Sequence, residues 1–210
     1  MKKTPVIIRV DGVCFHSWTR KNNCKVPFDY TLRYAFIESI LTNIHKIHGF
    51  KIAYHQSDEI SILLTDTNNI NTEAWFNNNI QKLASVTASM ITSEFNETVK
   101  SLGHTWYPAI FDARVFNIPE NEIVNYFLWR AKDCYRNSVS SLAQNIFNHK
   151  ELQGKKLHQL IKLLGNNYED LDKVFKYGTF VTAKGTQVAV QPFYKKISEF
   201  YEAALIEKEI

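Results

Sequence analysis

Residues 54–64 read Tyr54-His55-Gln56-Ser57-Asp58-Glu59-Ile60-Ser61-Ile62-Leu63-Leu64, and this stretch decides the fold. Two adjacent carboxylates, Asp58 and Glu59, stand in a tight polar turn between apolar runs. Ile52-Ala53-Tyr54 before the turn and Ile60 to Leu64 after it have the short, β-branched character of strands. Upstream, Val6 to Val10 ("VIIRV") is another such strand, and it stops at Asp11-Gly12. From Tyr30 to about His48, Leu32, Phe36, Ile37, Ile40, Leu41, Ile44 and Ile47 recur at helical spacing, and Gly49 follows as a stop. From about Thr72 through Val99 the pattern is helical again, and Ala109 to Phe116 is a fourth strand. The order β-α-β-β-α-β predicts an α+β fold of the ferredoxin-like kind. Right-handed crossovers then put strand three between strands one and two, antiparallel to both. Asp11, ending strand one, is thereby predicted to lie beside Asp58 and Glu59, which open strand three.

The second half reads as more helical. Pro119 precedes a long helical pattern from about Asn121 to His149, Gly154 interrupts it, and a shorter helix covers Lys156 to Leu164. "GNNYEDLD" reads as a loop, Thr179 to Thr182 and Gln187 to Val190 as a hairpin, and Phe193 to Glu207 as a last amphipathic helix. The expected organisation is a core over residues 1–118 and a helical extension with a small β-hairpin over residues 119–210, packed together as one unit. The 210 residues are 45% hydrophobic and 22% charged, enough apolar material for such a core. No apolar run reaches the ~18 residues of a membrane span. "MKKTPVIIRVDG" lacks the h-region and cleavage site of a signal peptide, so a cytoplasmic location is expected. Cys14, Cys24 and Cys134 show neither C-x-x-C pairing nor zinc spacing, and buried reduced thiols are expected. A net charge of +4, with lysines gathered in the C-terminal half, agrees with a polyanionic partner.

Clustered carboxylates repel one another and are costly to keep together unless a cation or proton is shared. Oxygen donors from Asp, Glu and a backbone carbonyl suit Mg²⁺, which also takes waters and phosphate oxygens as ligands. Two such ions about 4 Å apart can activate a hydroxyl and stabilise a leaving pyrophosphate. Acids at two adjacent strand ends are therefore shaped for nucleotidyl transfer; the alternative is a plain turn at Asp11-Gly12 and a solvated hairpin tip at Ser57-Asp58-Glu59. Gly12 would let the backbone approach a triphosphate, and the following loop Val13-Cys14-Phe15-His16 could offer amide donors to it. Lys25 could reach the phosphates as a point charge.

Six stretches, in order, resemble the tRNA-His guanylyltransferase family, most of all its bacterial and archaeal guanylyltransferase-like branch. They are "RVDGVCFHSWTR", "KVPFD", "AYHQSDEISILL", "FDARVF", "YFLWRAKDCYRNSVSSLAQNIFNHKELQGK" and "FKYGTFV", and they span about Val6 to Val181. The resemblance implies a polymerase-palm core and a tRNA nucleotidyltransferase that extends the 5′ end of tRNA in the 3′-to-5′ direction, by template pairing in 5′-end repair or by adding an extra guanosine. It implies activation of a 5′-phosphate with ATP, attack by the 3′-hydroxyl of an incoming nucleotide such as GTP, and two or more Mg²⁺ ions. By motif, Asp11 and Asp58 would ligate the metal with the Gly12 carbonyl, and Glu59 would complete a catalytic acidic cluster. Val13, Cys14, Phe15, His16, Lys25 and Ser57 would join Gly12 in holding the nucleotide. Asp133, Arg136, Asn137 and Lys176 would serve the activation chemistry or the tRNA end. A homotetramer, a dimer of dimers, is also implied.

The sequence departs from the family pattern at two places. Tyr135-Arg136-Asn137-Ser138 stands where the eukaryotic enzymes carry His-Ile-Asn-Asn, which favours the repair-type branch. Tyr177 stands where many members carry Lys in an Arg-Lys-Gly-Thr motif. Trp75, Trp106 and Trp129 read as core residues rather than base-stacking platforms, and Asp112 and Arg114 as either a tRNA contact or an ion pair. Two other classes compete. A nucleotide cyclase would carry a Gly-Gly-Asp/Glu hairpin where this chain has "HQSDE". A non-catalytic RNA-binding palm has no need of three mutually repelling acids.

Overall fold

The structure is a computed structural model that describes residues 4–66 and 73–206. Its strands are β1 (Val6–Gly12), β2 (Phe50–Gln56), β3 (Glu59–Leu64), β4 (Phe111–Asn117), β5 (Thr179–Thr182) and β6 (Gln187–Val188). Among the described residues they form one sheet in the order β4-β1-β3-β2-β5-β6. β3 lies between β1 and β2 and runs antiparallel to both, the ferredoxin-like arrangement. The last two strands extend this sheet from the second half of the chain, because β5 pairs with β2. The helices are α1 (Phe15–Lys21), α2 (Tyr30–Leu41), α3 (Ile80–Ser101), α4 (Ile123–Ile146), α5 (His149–Leu152), α6 (Leu157–Leu164), α7 (Asn166–Glu169), α8 (Lys173–Tyr177) and α9 (Tyr194–Ile206).

Strand alternation sorts the side chains onto two apolar faces. Ile8, Val10, Ile60 and Ile62 pack against Phe36 and Ile40 of α2 and Leu83, Ile91 and Phe95 of α3. Ile7, Leu63, Tyr54 and Phe180 pack on the opposite face against Ile123 and Phe127 of α4 and Ile197 of α9. Both faces of β2 and β3 are therefore buried, which is why these central strands read as nearly unbroken apolar runs. The far end of α4 makes a third cluster, where Val139, Leu142 and Ala143 meet Leu164 and Tyr168. Asn96 of α3 pins the approach to β4, donating to the Ala109 carbonyl (2.9 Å) and accepting from its amide (2.7 Å).

The main differences from the sequence expectation are local. α2 stops at Leu41 and not near His48, because the Asn43 side chain donates to the Ser39 carbonyl (2.9 Å) and the chain then makes a 3₁₀ turn over Ile44–Lys46. α3 starts at Ile80, where the Asn79 side chain accepts from the Lys82 amide (3.0 Å) after positive φ at Phe76, Asn77 and Asn78. The expected start at Thr72 lies outside the described residues, as does the end of the last helix at Glu207. The loop read over "GNNYEDLD" holds α7, and Asp172 then caps α8 by accepting from Val174 (3.1 Å). The stretch Val13 to His16 is not an open loop, since α1 begins at Phe15 after Cys14 takes a φ of 52°.

Gly178 joins α8 to β5 at a φ of +71°, and a Cβ there would meet the Tyr54 hydroxyl and stand 2.7 Å from the His55 carbonyl. Tyr54 is itself fully buried and donates to the Tyr177 carbonyl (2.8 Å). Gly178→Ala is expected to cost about 3 kcal/mol by strain and overpacking. In a chain of this size that lowers Tm by roughly 6–12 °C in a thermal melt. A shift of under a degree would contradict this packing.

Candidate functional site

The chemistry-bearing residues gather where β1 ends and β3 begins. Asp11 stands opposite Glu59 of β3 and Asp112 of β4, and Glu59 stands opposite Gln56 of β2. Directly opposed residues share a face, so Asp112, Asp11, Glu59 and Gln56 form one row across the sheet. Ser57 and Asp58 make the turn beside this row, with Ser57 at a φ of 53°, an uncommon value for a residue with a Cβ. Burial, and after it the neighbouring Asp11 carboxylate, pushes the Asp58 carboxyl above its ordinary range. Asp11 and Asp58 are thus brought together as the topology predicted, close enough to repel.

Glu59 has a different place from the one expected. Arg130 of α4 grips both of its oxygens, Nε at 2.8 Å and Nη2 at 2.6 Å, and the Ser61 hydroxyl donates to it as well (3.2 Å). The two charged side chains are only 8% and 10% exposed, so each depends on the other for its charge. Burial is the strongest single influence and works against the Arg130 cation, but the charge and hydrogen bonds of Glu59, with Asp133 beside them, together outweigh it and raise the pKa. Glu59 therefore does not complete an open acidic cluster; its charge is cancelled from the helix side. The sequence reading missed Arg130 as a site residue. Its signal was a lone cation in the apolar stripe Tyr126, Phe127, Ala131 and Cys134, which needs a buried anion. Arg130 also lies 3.4 Å from Asp133, which pairs with Arg136 at 2.7 Å, so the two arginines meet at one carboxylate. The Asn137 amide reaches the same carboxylate at 3.5 Å.

A cleft of about 740 Å³ opens beside Asp58. His16, Lys25, Ser57, Asp58 and Asn137 line it, far apart in sequence yet brought together, with Asn137 joining residues read as a separate, nucleotide-holding group. Arg33 of α2 lines it too and was not foreseen; its Nη2 donates to the Thr179 hydroxyl (3.2 Å), while its Nε is buried with no hydrogen-bond partner among the described residues. His55 forms part of the wall, stacked on Phe36 at 4.8 Å with Nε2 3.1 Å from the Ser57 carbonyl. Burial, and then the Arg33 cation, lowers its pKa to about 3. The unfolded ring takes its proton near its ordinary value of 6.5. This part of the stability is complete above pH 6.5 and is lost as pH falls toward 3, about 2 kcal/mol of it by pH 5. Urea unfolding at pH 7 and pH 5 is expected to show that loss in the wild type and not in His55→Gln. An equal loss in both would contradict it.

The remaining expected contacts are placed as follows. The Val13 amide donates to the Ile110 carbonyl (2.8 Å) and is not free for a phosphate. Phe15 lines the cleft but is buried among Trp18, Phe36, Phe95 and Phe111. Its ring also explains Gly12, where a Cβ would stand 2.6 Å from Phe15 Cδ2. Cys14 is exposed, against the expectation of buried thiols, whereas Cys24 is half-buried and Cys134 buried. Lys176 is buried, donates to the Glu169 carbonyl (2.7 Å) and lies 4.8 Å over the Tyr168 ring, so it presents no charge to a tRNA. The two departures from the family pattern sit together: Tyr135 and Tyr177 stack at 6.2 Å and 16°. Asp112 and Arg114 are exposed and join no ion pair among the described residues. Trp75 is core and Trp106 packs against it, but Trp129 is 53% exposed, which corrects its reading as core.

A profile of the tRNAHis guanylyltransferase family matches residues 1–119, more than half of the chain. The chain belongs to the tRNAHis guanylyltransferase family. A bacterial guanylyltransferase-like member of the family, solved in complex with ATP, is 38% identical with a TM-score of 0.90, over 97% of this chain and 91% of that one. A bacterial guanylyltransferase-like protein in complex with GTP is also 38% identical, with a TM-score of 0.73 over 87% and 76% of the two chains. The probable tRNA(His) guanylyltransferase of Mus musculus is 28% identical over 64% of this chain, which spans 45% of the mouse protein's length. The family is one of nucleotidyltransferases, and the palm-like sheet agrees with it. Among the described residues no helix is long and apolar enough to cross a membrane.

Asp11 and Asp58 are an all-oxygen donor pair whose mutual repulsion a hard cation would relieve. Among the described residues no three His, Cys, Asp or Glu side chains are assembled to hold a metal by themselves. The fit is to Mg²⁺, which keeps waters and accepts phosphate oxygens beside one or two carboxylates.

Proposed function

We propose that this chain adds nucleotides to the 5′ end of tRNA in the 3′-to-5′ direction. One observation carries the proposal: two repelling carboxylates, Asp11 and Asp58, stand at adjacent strand ends beside a cleft lined by His16, Lys25 and Arg33. Asp11, Asp58 and the Gly12 carbonyl would hold Mg²⁺, which supplies charge stabilisation at the transferring phosphate and activates the attacking hydroxyl. Lys25 and Arg33 neutralise the triphosphate in the cleft, and Ser57 and His16 orient it. Activation would join the 5′-phosphate to the adenylyl group of ATP with release of pyrophosphate, and attack by the 3′-hydroxyl of GTP would then displace AMP; Asp11 and Asp58 would serve both steps in turn. Asp133, held by Arg130 and Arg136, and Asn137 position the RNA end along α4. Glu59 and Lys176 act structurally, through their buried partners. Tyr135, at the head of the stretch that replaces the eukaryotic His-Ile-Asn-Asn and favours templated repair of shortened 5′ ends, stacks on Tyr177, which stands where many members carry Lys. A dimer of dimers is part of the proposal, by family resemblance, and light scattering would measure it.

The test is a tRNA lacking its 5′-terminal nucleotide, incubated with Mg²⁺, ATP and labelled GTP, followed by nuclease mapping. Label at the 5′ end, with the truncated tRNA extended faster than an intact one, is the expected result. No incorporation, or label at the 3′ end, would overturn the proposal.

A further inference from the structure

Trp129 is large, aromatic and 53% exposed, and it is not among the residues that line the cleft. Helix periodicity places it. Tyr126 of α4 touches Phe116 of β4 (5.8 Å between rings) and bonds the Ser61 hydroxyl of β3 (2.8 Å), whereas Phe127 touches Tyr54 and Phe180 of β2 and β5. Trp129 lies three residues after Tyr126 and against it (6.1 Å), hence on the β1–β4 side of the helix. It is also one position before Arg130, whose guanidinium reaches Glu59 in the row shared with Asp11 and Asp112. The Arg130 guanidinium carbon is 4.7 Å from the Trp129 ring centre, which backs the indole with a cation. One row further along the same sheet face, Arg9 and Arg114 stand opposite each other, and Arg114 is exposed. An open indole backed by the Arg130 cation, on the side of α4 that faces the strands carrying Arg9 and Arg114, is the composition that stacks a base while phosphates are neutralised nearby.

We propose that Trp129 is a stacking platform for an unpaired base of the RNA substrate at its 5′ end, resting on the functional reading above. The occupant is RNA rather than the bound nucleotide, because Trp129 does not line the cleft that holds His16, Lys25 and Arg33. The strand ends thus receive the nucleotide from one flank and the RNA base from the other, with Asp11 between them. The bland alternative is a Trp129 that only shields the Arg130–Glu59 pair from water.

Tryptophan fluorescence tests this without turnover. A tRNA lacking its 5′-terminal nucleotide is titrated, with Ca²⁺ in place of Mg²⁺, into wild type, Trp129→Ala and Trp129→Tyr. RNA is expected to quench the wild type; Trp129→Ala should lose most of the quenching and bind about tenfold more weakly, the worth of one stacked base. Trp129→Tyr should recover most of the affinity, since it keeps a ring. Equal affinity and quenching in wild type and Trp129→Ala, no RNA binding by wild type, or equal quenching by GTP alone would each overturn the platform. Turnover by the wild type, measured beside its RNA binding, separates the two readings. Trp129-dependent RNA binding in a wild type that extends no 5′ end would leave the platform standing and sink the nucleotidyl-transfer proposal.

Discussion

Replacing Asp58 with alanine is expected to reduce Mg²⁺-dependent 5′-end addition by about a thousandfold or more while leaving tRNA affinity unchanged. The magnitude corresponds to ~4 kcal/mol of transition-state stabilisation, within what a bound metal contributes. The direction follows from position. Asp58 sits in the turn between β2 and β3, contributes nothing to the apolar core, and is held where Asp11 repels it. The same substitution should stabilise the metal-free protein, an outcome that ordinary loss-of-contact mutations do not give. The sign is fixed by the pKa. Folding raises the Asp58 value, so the folded state holds that proton more tightly than the unfolded chain does. The stability contribution is then lost as pH rises above the ordinary carboxylate range, and Asp58→Ala removes that loss. Single-turnover kinetics and urea titrations without divalent ions check the two halves. Retained activity would move the chemistry elsewhere, and a destabilised variant would mean that Asp58 is held by attraction instead.

Arg130→Met should lower stability by about 3–5 kcal/mol, because it leaves Glu59 buried without a counter-charge. That corresponds to a Tm drop on the order of 10 °C for a chain of this length. The double variant Arg130→Met with Glu59→Leu should recover much of the loss, since apolar replacement of a buried pair is close to neutral. This non-additivity separates a structural ion pair from two independent contributions. Thermal melts of the wild type, both single variants and the double variant measure it. Losses that simply add would contradict the pairing. The pair matters for function because it fixes α4 over the strand ends. Arg130 touches Glu59 on the sheet and Asp133 on the helix, so the acid row and the polar stripe of α4 keep one relative position.

The placement of Asp11 beside the β2–β3 turn was legible in the sequence, because handed crossovers leave one arrangement for the order β-α-β-β-α-β. Lys25 and the loop up to His16 were legible as phosphate contacts from their place after Gly12, whereas Ser57 and the role of the His16 side chain followed from motif resemblance. The role of Glu59 was not legible, since its neighbour Asp58 carries the same charge and only the docking of α4 decides which of them meets Arg130. Lys176 reads like any surface lysine, and nothing local announces that α8 folds its ammonium onto the Glu169 carbonyl. Trp129 sits among apolar residues of α4, one position off the stripe that faces the sheet, and a shift of one residue turns a helical side chain by about 100°. Boundary errors at Leu41 and Ile80 came from Asn side chains that bond locally and end or start a helix inside an apolar pattern.

The measurement that bears most directly on the central claim is Mn²⁺ binding by electron paramagnetic resonance, with GTP present. Mn²⁺ takes the oxygen donors that suit Mg²⁺. Wild type and Glu59→Gln should bind the ion with similar affinity, and Asp58→Asn should lose the tight site. Equal binding by Asp58→Asn and wild type, or loss of binding in Glu59→Gln alone, would contradict the assignment of the metal to Asp11 and Asp58.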